Sequence, residues 1–379
     1  MFDIVTVNYQ TMFQKRKVIN KNGIREGDLR KMTSKESALR ILRENQDLIA
    51  EHIVNQQLMC LNFSETRRQV SIRDAKENIK QLADAIEIKS QITFNGYIVW
   101  LNEVLKGYGF DQTLLIDHLT LLVDYVGEYY DEDVSEMIRT FVYAAIEAVN
   151  AEVEAEQSFL ENCGEYQDYA QTYLLALVEA RRNDAIEIIL SAVNKGDVSI
   201  EDLYIKIFTN VLYEIGRLWQ SRRINVGQEH FATVVTQYIM SMLYEKIFTN
   251  EIKTVKVMGV CVGDELHEIG IRMVCDIFEL NNWDSYYLGA NVPLESIIGE
   301  LERIKPQVLA LSATTAHRVP QCIEIIKAIK AQTPGIKIIV GGRPFNMDTD
   351  LWVKIGADGH GFDALGAVKL AQRLVNENV

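Results

Sequence analysis

The chain has 379 residues, 48% of them hydrophobic and 24% charged, which suits a globular protein of two or three domains. Its formal net charge of −14 argues against nucleic-acid binding, which needs a cationic face. No apolar run is long enough to span a bilayer, and no signal-peptide pattern opens the chain. The five scattered cysteines lack zinc-site spacing, so we expect a cytoplasmic protein with reduced thiols and no membrane association.

The N-terminal part is predicted to be helical. Residues 1–34 are expected to form a flexible lead-in, and residues 35–162 a helical sensor or interaction domain. Apolar residues recur at helical spacing in Ala38–Leu58, Ile79–Ile88, Phe94–Leu105, Leu114–Val126 and Val134–Phe159. The last segment is long enough for a dimerisation helix, so we expect a homo-oligomer formed through this region.

An aromatic stripe and two histidines stand out in this domain. Phe94, Tyr97 and Trp100 share one predicted helix, and His52 and His118 lie on apolar faces. Such residues belong to a domain core more often than to a chromophore site. A haem or bilin held here is the alternative interpretation.

The remaining chain predicts two further domains. Residues 163–250 contain four helical segments with short joints, near 166–181, 183–195, 199–221 and 226–248, which favours a four-helix bundle. In residues 251–379, strands near 255–262, 284–288, 307–312, 337–341 and 357–360 alternate with helices. This alternation predicts a five-stranded parallel sheet of the flavodoxin or Rossmann-like type.

The loop after the first of these strands carries the strongest motif. A histidine there lies at the carboxyl edge of a parallel sheet, where such sheets bind ligands. Glu265-x-His267-x-x-Gly270 resembles the D-x-H-x-x-G signature of cobalamin-binding domains, with Glu in place of Asp. The resemblance implies that His267 is the lower axial ligand of cobalt and that Glu265 fixes its tautomer. It also implies that Asp264 lies at the cofactor and that Gly270 lets the helix approach the corrin.

Turns after the later strands match the same family. Hydroxyl groups after the third strand could bond the buried nucleotide base, and glycines after the fourth leave room for the nucleotide loop. The residues assigned to the cofactor on this basis are Ser312, Thr314, Gly341, Gly342, Gly359 and His360.

The bundle carries a second motif, Trp219 followed after nine residues by Glu229-His230. It resembles the adenosylcobalamin-dependent CarH/LitR photoreceptors, whose bundle caps the upper face of the corrin. Asn225-x-x-Gln228 is expected to act as a capping box that places Glu229 and His230 at the start of a helix. The DNA-binding domain of that family has no visible counterpart, and Gln220 stands where some members have a histidine.

These patterns predict a multidomain protein that binds cobalamin, with the adenosyl form preferred and methylcobalamin as the other candidate form. The leading hypothesis is a light-responsive sensor without catalytic residues, acting on an unknown signalling partner. Its enzymatic rival is a corrinoid protein that carries methyl groups for a methyltransferase system. A third hypothesis is a cobalamin protein with a second chromophore in the N-terminal domain.

Overall fold

The computed structural model describes residues 33–58, 65–151, 157–249, 252–264 and 267–377. The predicted lead-in, residues 1–34, falls almost entirely outside these ranges. Within them, none of the helices combines the length and apolar character needed to cross a membrane.

The N-terminal domain is built from helices packed around one apolar core. A capping box between Thr33 and Glu36 starts the first helix, and Asp111 caps the fifth. Leu42, Ile53 and Ile138 are among the side chains with no exposed surface in its core. The helices are α1 (Ser34–Glu44), α2 (Gln46–Leu58), α3 (Glu65–Glu87), α4 (Gln91–Gly107), α5 (Gln112–Tyr129) and α6 (Glu132–Asn150).

The prediction of one long helix from Val134 to Phe159 is wrong. Helix α6 ends at Asn150, because Ala151 takes an extended backbone conformation. A separate 3-10 segment, Phe159–Tyr166, follows, and Ser158 caps it. The Phe159 amide donates to the Glu214 carboxylate at 3.1 Å, which ties this segment to the bundle. The connection between domains is therefore not a continuous helix.

His118 lies in a buried polar network inside the N-terminal core. The Asn78 amide donates to Nε2 of His118 at 3.3 Å, and Nδ1–H of His118 donates to Gln57 Oε1 at 3.3 Å. The Tyr97 hydroxyl donates to Asn78 Oδ1 at 2.7 Å. This pattern needs a neutral imidazole, and burial lowers the pKa of His118 to about 4. His118 thus has the structural role that its apolar helix face suggested.

We expect the N-terminal domain to lose stability as the pH falls from about 6.5 to about 4. The unfolded chain binds a proton at His118 in this window and the folded domain does not, a difference of about 3 kcal/mol in the free energy of unfolding. Urea titrations at several pH values, followed by Trp100 fluorescence, should show this slope. His118→Gln should remove it. Asp84 contributes to the pH dependence with the opposite sign, because burial raises its pKa to about 6. Its contribution is present in both proteins, so the difference between wild type and His118→Gln reports on His118.

The second domain is a helical bundle. Its long third helix contains a π-helical stretch, Leu203–Phe208, between Ile200–Asp202 and the α-helical part that we label α9. Tyr173 and Phe208 fill the bundle core, and the Tyr173 hydroxyl bonds Thr236 at 2.9 Å. The helices are α7 (Gln167–Val178), α8 (Arg182–Lys195), α9 (Thr209–Gln220), α10 (Val226–Met242) and α11 (Tyr244–Ile247).

The third domain is a parallel sheet with helices on both faces. The strand order is β2-β1-β3-β4-β5, which confirms the predicted doubly wound architecture. The strands are β1 (Lys256–Cys261), β2 (Asp284–Tyr287), β3 (Val308–Ser312), β4 (Lys337–Gly341) and β5 (Gly359–His360). The helices are α12 (Ile269–Leu280), α13 (Leu294–Ile304), α14 (Val319–Gln332), α15 (Arg343–Met347), α16 (Leu351–Ile355) and α17 (Ala364–Asn376).

The bundle packs against α12, the helix that follows β1. The Arg272 guanidinium donates to Ser241 Oγ at 2.7 Å and to the Tyr244 hydroxyl at 3.2 Å. Deeper in the interface, the Tyr204 hydroxyl donates to the Asp276 carboxylate at 3.0 Å. These polar contacts place the end of α10 beside the first turns of α12.

Candidate functional site

The turns that follow β1, β3 and β4 meet at one edge of the sheet. The Val262 amide donates to the carbonyl of Ser312 at 2.9 Å, and the Ala313 amide donates to the carbonyl of Gly341 at 3.1 Å. Parallel strands direct their carboxyl ends to the same edge, which is where ligands bind in this architecture. The predicted motifs on these three strands are therefore brought together.

The His267 loop leaves β1 and leads into α12. His267 is exposed at the edge of the sheet, and its backbone carbonyl lies 4.0 Å from the Cys261 thiol. Asp264 forms an ion pair with Arg318, which holds the start of the loop against the turn after β3. Glu265, the residue expected to orient the imidazole, lies outside the described residues.

Gly270 lies in the first turn of α12 and is exposed. A Cβ added at this position would meet no atom of the described residues outside its own helix within 4 Å. The packing of the chain itself therefore gives no reason for glycine here, and a helix position normally favours alanine over glycine.

Ser312 and Thr314 follow the buried part of β3. Ser312 is 8% exposed, and its hydroxyl makes no hydrogen bond to the part of the chain that the structure describes. Thr314 is partly exposed in the next turn. A hydroxyl group near the sheet edge is thus available to a bound molecule.

The glycines after β4 and in β5 are required by the fold. Gly342 has a φ of 108°, and a Cβ there would overlap the carbonyl oxygen of Ala313. A Cβ at Gly341 would lie 3.3 Å from the carbonyl oxygen of Gly361, and one at Gly359 would lie 2.7 Å from Leu370. Close packing within the chain accounts for these three residues, whatever contact they make with a cofactor.

His360 ends β5, toward the outer side of the sheet. Its Nε2 lies 2.7 Å from Asn346 Oδ1, and the rings of Phe345 and Phe362 lie nearby. Partial burial lowers the pKa of His360. This side chain therefore has a structural partner within its own domain.

Sequence reasoning missed the two residues that fasten this site. Arg318 reaches from the turn after β3 to Asp264, and Arg272 links α12 to the bundle. Arg318 is an arginine in a short turn between a buried strand and a helix, a signal that could have suggested an ion pair at the sheet edge. The partner of Arg272 depends on how the domains pack, which no local pattern reports.

The bundle residues Trp219, Glu229 and His230 lie apart from the His267 loop. The predicted capping box between Asn225 and Gln228 is confirmed and starts α10. His230 is exposed and bonds the neighbouring Glu229 carboxylate. Trp219 is half-buried near the end of α9 and packs against the bundle core.

The separation follows from the length of α10. Ser241, at one end of this helix, contacts Arg272 in the first turns of α12. His230 lies eleven residues earlier on the same face, or roughly 16 Å along the axis. Between them, Val234 and Tyr238 are 61% and 52% exposed. Most of the length of α10 thus separates Glu229 and His230 from the contact between α10 and α12.

The residues at the sheet edge fit the cobalamin that the sequence resemblance implies. An exposed imidazole, a hydroxyl without a hydrogen bond to the described residues and a helix glycine without close neighbours among them lie on the segments that follow β1 and β3. Imidazole is a suitable axial ligand for cobalt, and glycine allows a large ring to approach a helix.

Comparison with known proteins identifies both domains. A B12-binding domain model matches residues 255–369, and a second B12-binding domain model matches residues 169–244. The trimethylamine corrinoid protein of Methanosarcina barkeri is 31% identical over 131 residues, which are 34% of this chain and 58% of that protein. Trimethylamine corrinoid protein 1 of Methanosarcina acetivorans is 28% identical over 175 residues, 44% of this chain and 79% of that protein.

A solved structure of the Methanosarcina barkeri monomethylamine corrinoid protein also aligns with this chain. The TM-score is 0.49 at 20% identity, and the alignment covers 55% of this chain and 99% of the other.

These relatives correct the leading functional hypothesis. Light sensing through adenosylcobalamin is wrong, because the relatives named here are trimethylamine and dimethylamine corrinoid proteins and not photoreceptors. The cofactor itself is confirmed as cobalamin. The chain is a cobalamin-binding protein that has one B12-binding domain in its helical bundle and another in its α/β domain.

Proposed function

We propose that this protein is a corrinoid carrier of methyl groups that serves a methyltransferase partner. The observation that carries the proposal is its similarity to trimethylamine corrinoid proteins, extending over 175 residues in one of them. The partner supplies the catalytic groups, and this chain holds and presents the cofactor. When bound, cobalamin supplies a cobalt centre that can accept a methyl group and release it again.

The sheet edge holds the lower side of the cofactor. His267 would hold the cobalt through its imidazole, and the Ser312 hydroxyl would bond the nucleotide base. Gly270 allows α12 to approach the ring. The Asp264–Arg318 ion pair keeps the His267 loop against the turn after β3, which limits how far the imidazole moves.

The bundle shields the upper side. Trp219 and the hydrogen-bonded Glu229–His230 pair at the start of α10 are the bundle residues that would cover the upper side of the cofactor. A methyl group is small enough to leave room for both.

The partner must reach the upper side of the cofactor, so the bundle has to move relative to α12. The hydrogen bonds from Arg272 and Tyr204 are the contacts that such a movement strains or breaks. A homo-oligomer formed through the N-terminal helices stays a prediction.

A chemical methylation experiment tests the proposal. The full chain is loaded with hydroxocobalamin, reduced, and treated with methyl iodide. A methyl carrier should take up one methyl group per bound cofactor and retain it through gel filtration in the dark. It should release the methyl group to a thiol acceptor only when a corrinoid-dependent methyltransferase is added. Failure of uptake, or release at the same rate without the enzyme, would overturn the proposal.

A further inference from the structure

The N-terminal domain, which lies outside both matches to B12-binding domain models, packs against the α/β domain. Ile88, 3% exposed, joins the apolar core on one face of the sheet. The Ser90 hydroxyl donates to the Asp348 carboxylate at 2.6 Å, and Lys354 donates to the same carboxylate at 2.7 Å. Asp348 directly follows α15, the short helix after the Gly341–Gly342 turn. The N-terminal helices therefore reach the rim of the cofactor site.

Helix α4 presents one face to its own domain and the opposite face outward. Phe94 and Ile98 are 1% and 0% exposed and belong to the domain core. Gly96, Trp100 and Gly107 follow each other at intervals of four and seven residues, so they form one stripe on the outer face.

Both ends of this stripe touch the cobalamin-binding part of the chain. A Cβ at Gly96 would overlap the end of the Met347 side chain in α15. A Cβ at Gly107 would lie 2.7 Å from the backbone oxygen of Gln220, the residue after Trp219. The two glycines are eleven residues apart, or roughly 16 Å along the helix. Helix α4 thus spans from the sheet edge to the end of the bundle helix that carries Trp219.

Trp100 lies between these two contacts on the same stripe. It is partly exposed, and the centroid of its ring lies 5.9 Å from that of Tyr97. The other aromatic residues of the predicted stripe behave as core, since Phe94 is buried and Tyr97 packs against the core. Trp100 is not part of that core, because it lies on the opposite side of the helix from Phe94 and Ile98.

Helices α9 and α15 lie across from this stripe. Tyr213 of α9 is 54% exposed, and its ring lies tilted against that of Phe159 with 5.4 Å between the centroids. Partial burial raises the pKa of the Tyr213 phenol, and the nearby Arg343 guanidinium in α15 opposes that shift. A Cβ at Gly216, one turn along α9, would meet no atom of the described residues within 4 Å. Helices α9 and α15 therefore both lie on the side of α4 that carries Trp100, and the surface of α9 at Gly216 is not covered by the described residues.

We propose that Trp100 contacts the bound cobalamin, so that the N-terminal domain supplies a third wall of the cofactor site. An indole offers an apolar face to the edge of the corrin ring and an N–H donor to its amide side chains. The inference rests on cobalamin binding and not on methyl transfer.

Cofactor release from Trp100 variants is the first part of the test. Hydroxocobalamin-loaded full chain is diluted into excess competing cobalamin-binding protein, and loss of cofactor is followed by absorbance. Trp100→Ala should release cobalamin about fivefold to tenfold faster than the wild-type chain. Trp100→Phe should release cobalamin at a rate close to that of the wild-type chain. The matched control is Tyr143→Ala, which removes a 43% exposed ring from α6 of the same domain.

Hydroxyl-radical footprinting of the unmodified chain is the second part, because it does not depend on a variant that folds. Oxidation of Trp100 should fall when hydroxocobalamin is added, and oxidation of Tyr143 should not change. Faster release from Trp100→Ala without this protection would assign Trp100 a structural role and overturn the inference. Unchanged release and unchanged oxidation would also overturn it, while leaving methyl uptake intact. Protection of Trp100 in a chain that takes up no methyl group would overturn the proposed function alone.

Discussion

His267→Ala should weaken cobalamin binding by at least about tenfold and remove the absorbance signature of a coordinated imidazole. His267 is exposed at the carboxyl end of β1, and the Asp264–Arg318 ion pair restrains its loop. Loss of a group that merely supports a metal ligand costs roughly 10-fold to 100-fold in affinity, and loss of the ligand itself should cost no less. Equilibrium dialysis with hydroxocobalamin and absorbance spectra of the loaded protein measure both effects.

A second histidine at the same edge provides the control. His317 lies in the 3-10 turn after β3, a position that we interpret as part of a loop. His317→Ala should keep the wild-type spectrum and affinity. Free imidazole added to loaded His267→Ala should restore the spectral signature. If His267→Ala kept the affinity and spectrum of the wild-type chain, the assignment of His267 as the cobalt ligand would be refuted.

The α/β domain could be predicted closely from the sequence. The five predicted strands lie within about two residues of those in the structure, and β4 matches at both ends. Continuous apolar runs such as Val257–Val262 identify buried parallel strands, and all five prolines lie at their joints. The sheet edge follows from this topology, which is why His267, Ser312 and Gly341 could be grouped before any coordinates.

Contacts between domains could not be predicted in the same way. Helical spacing showed that Trp100 lies on a helix, but its apolar character suggested the core of its own domain. Its position became clear only from Gly96 against Met347 and Gly107 against Gln220. Such contacts depend on how separate domains pack, and their residues are far apart in the sequence. The end of α6 at Asn150 was missed because the residues beyond it are also good helix formers.

The error over function has a local explanation. The Trp219 and Glu229-His230 pattern resembles a light sensor, but Asn225 and Gln228 place Glu229 and His230 together for reasons of helix capping. The two side chains then bond each other. A short motif that serves to start a helix can therefore occur in corrinoid proteins of different function. The cofactor follows from the residues at the sheet edge, whereas the task performed with it does not.

Alanine substitutions at Gly342 and Gly270 should show which glycine is needed for stability and which for cobalamin binding. Gly342→Ala should lower the free energy of unfolding of the α/β domain by about 3 kcal/mol or more. A non-glycine residue is strained at a φ of 108°, and the added Cβ would overlap the Ala313 carbonyl oxygen. Urea unfolding of the full chain without cofactor, followed by Trp283 and Trp352 fluorescence, measures this loss.

Gly270→Ala should leave the stability of the chain without cofactor intact and weaken its affinity for cobalamin. Its Cβ meets no atom of the chain within 4 Å, and alanine is the better helix former, so stability without cofactor should be unchanged or up to about 1 kcal/mol higher. Cobalamin affinity should nevertheless fall at least about tenfold, because the new methyl group occupies the space where α12 approaches the ring. A Gly270→Ala chain that binds cobalamin as tightly as the wild type would show that the ring does not approach α12 here. The lower side of the cofactor would then have to be placed differently on the sheet edge.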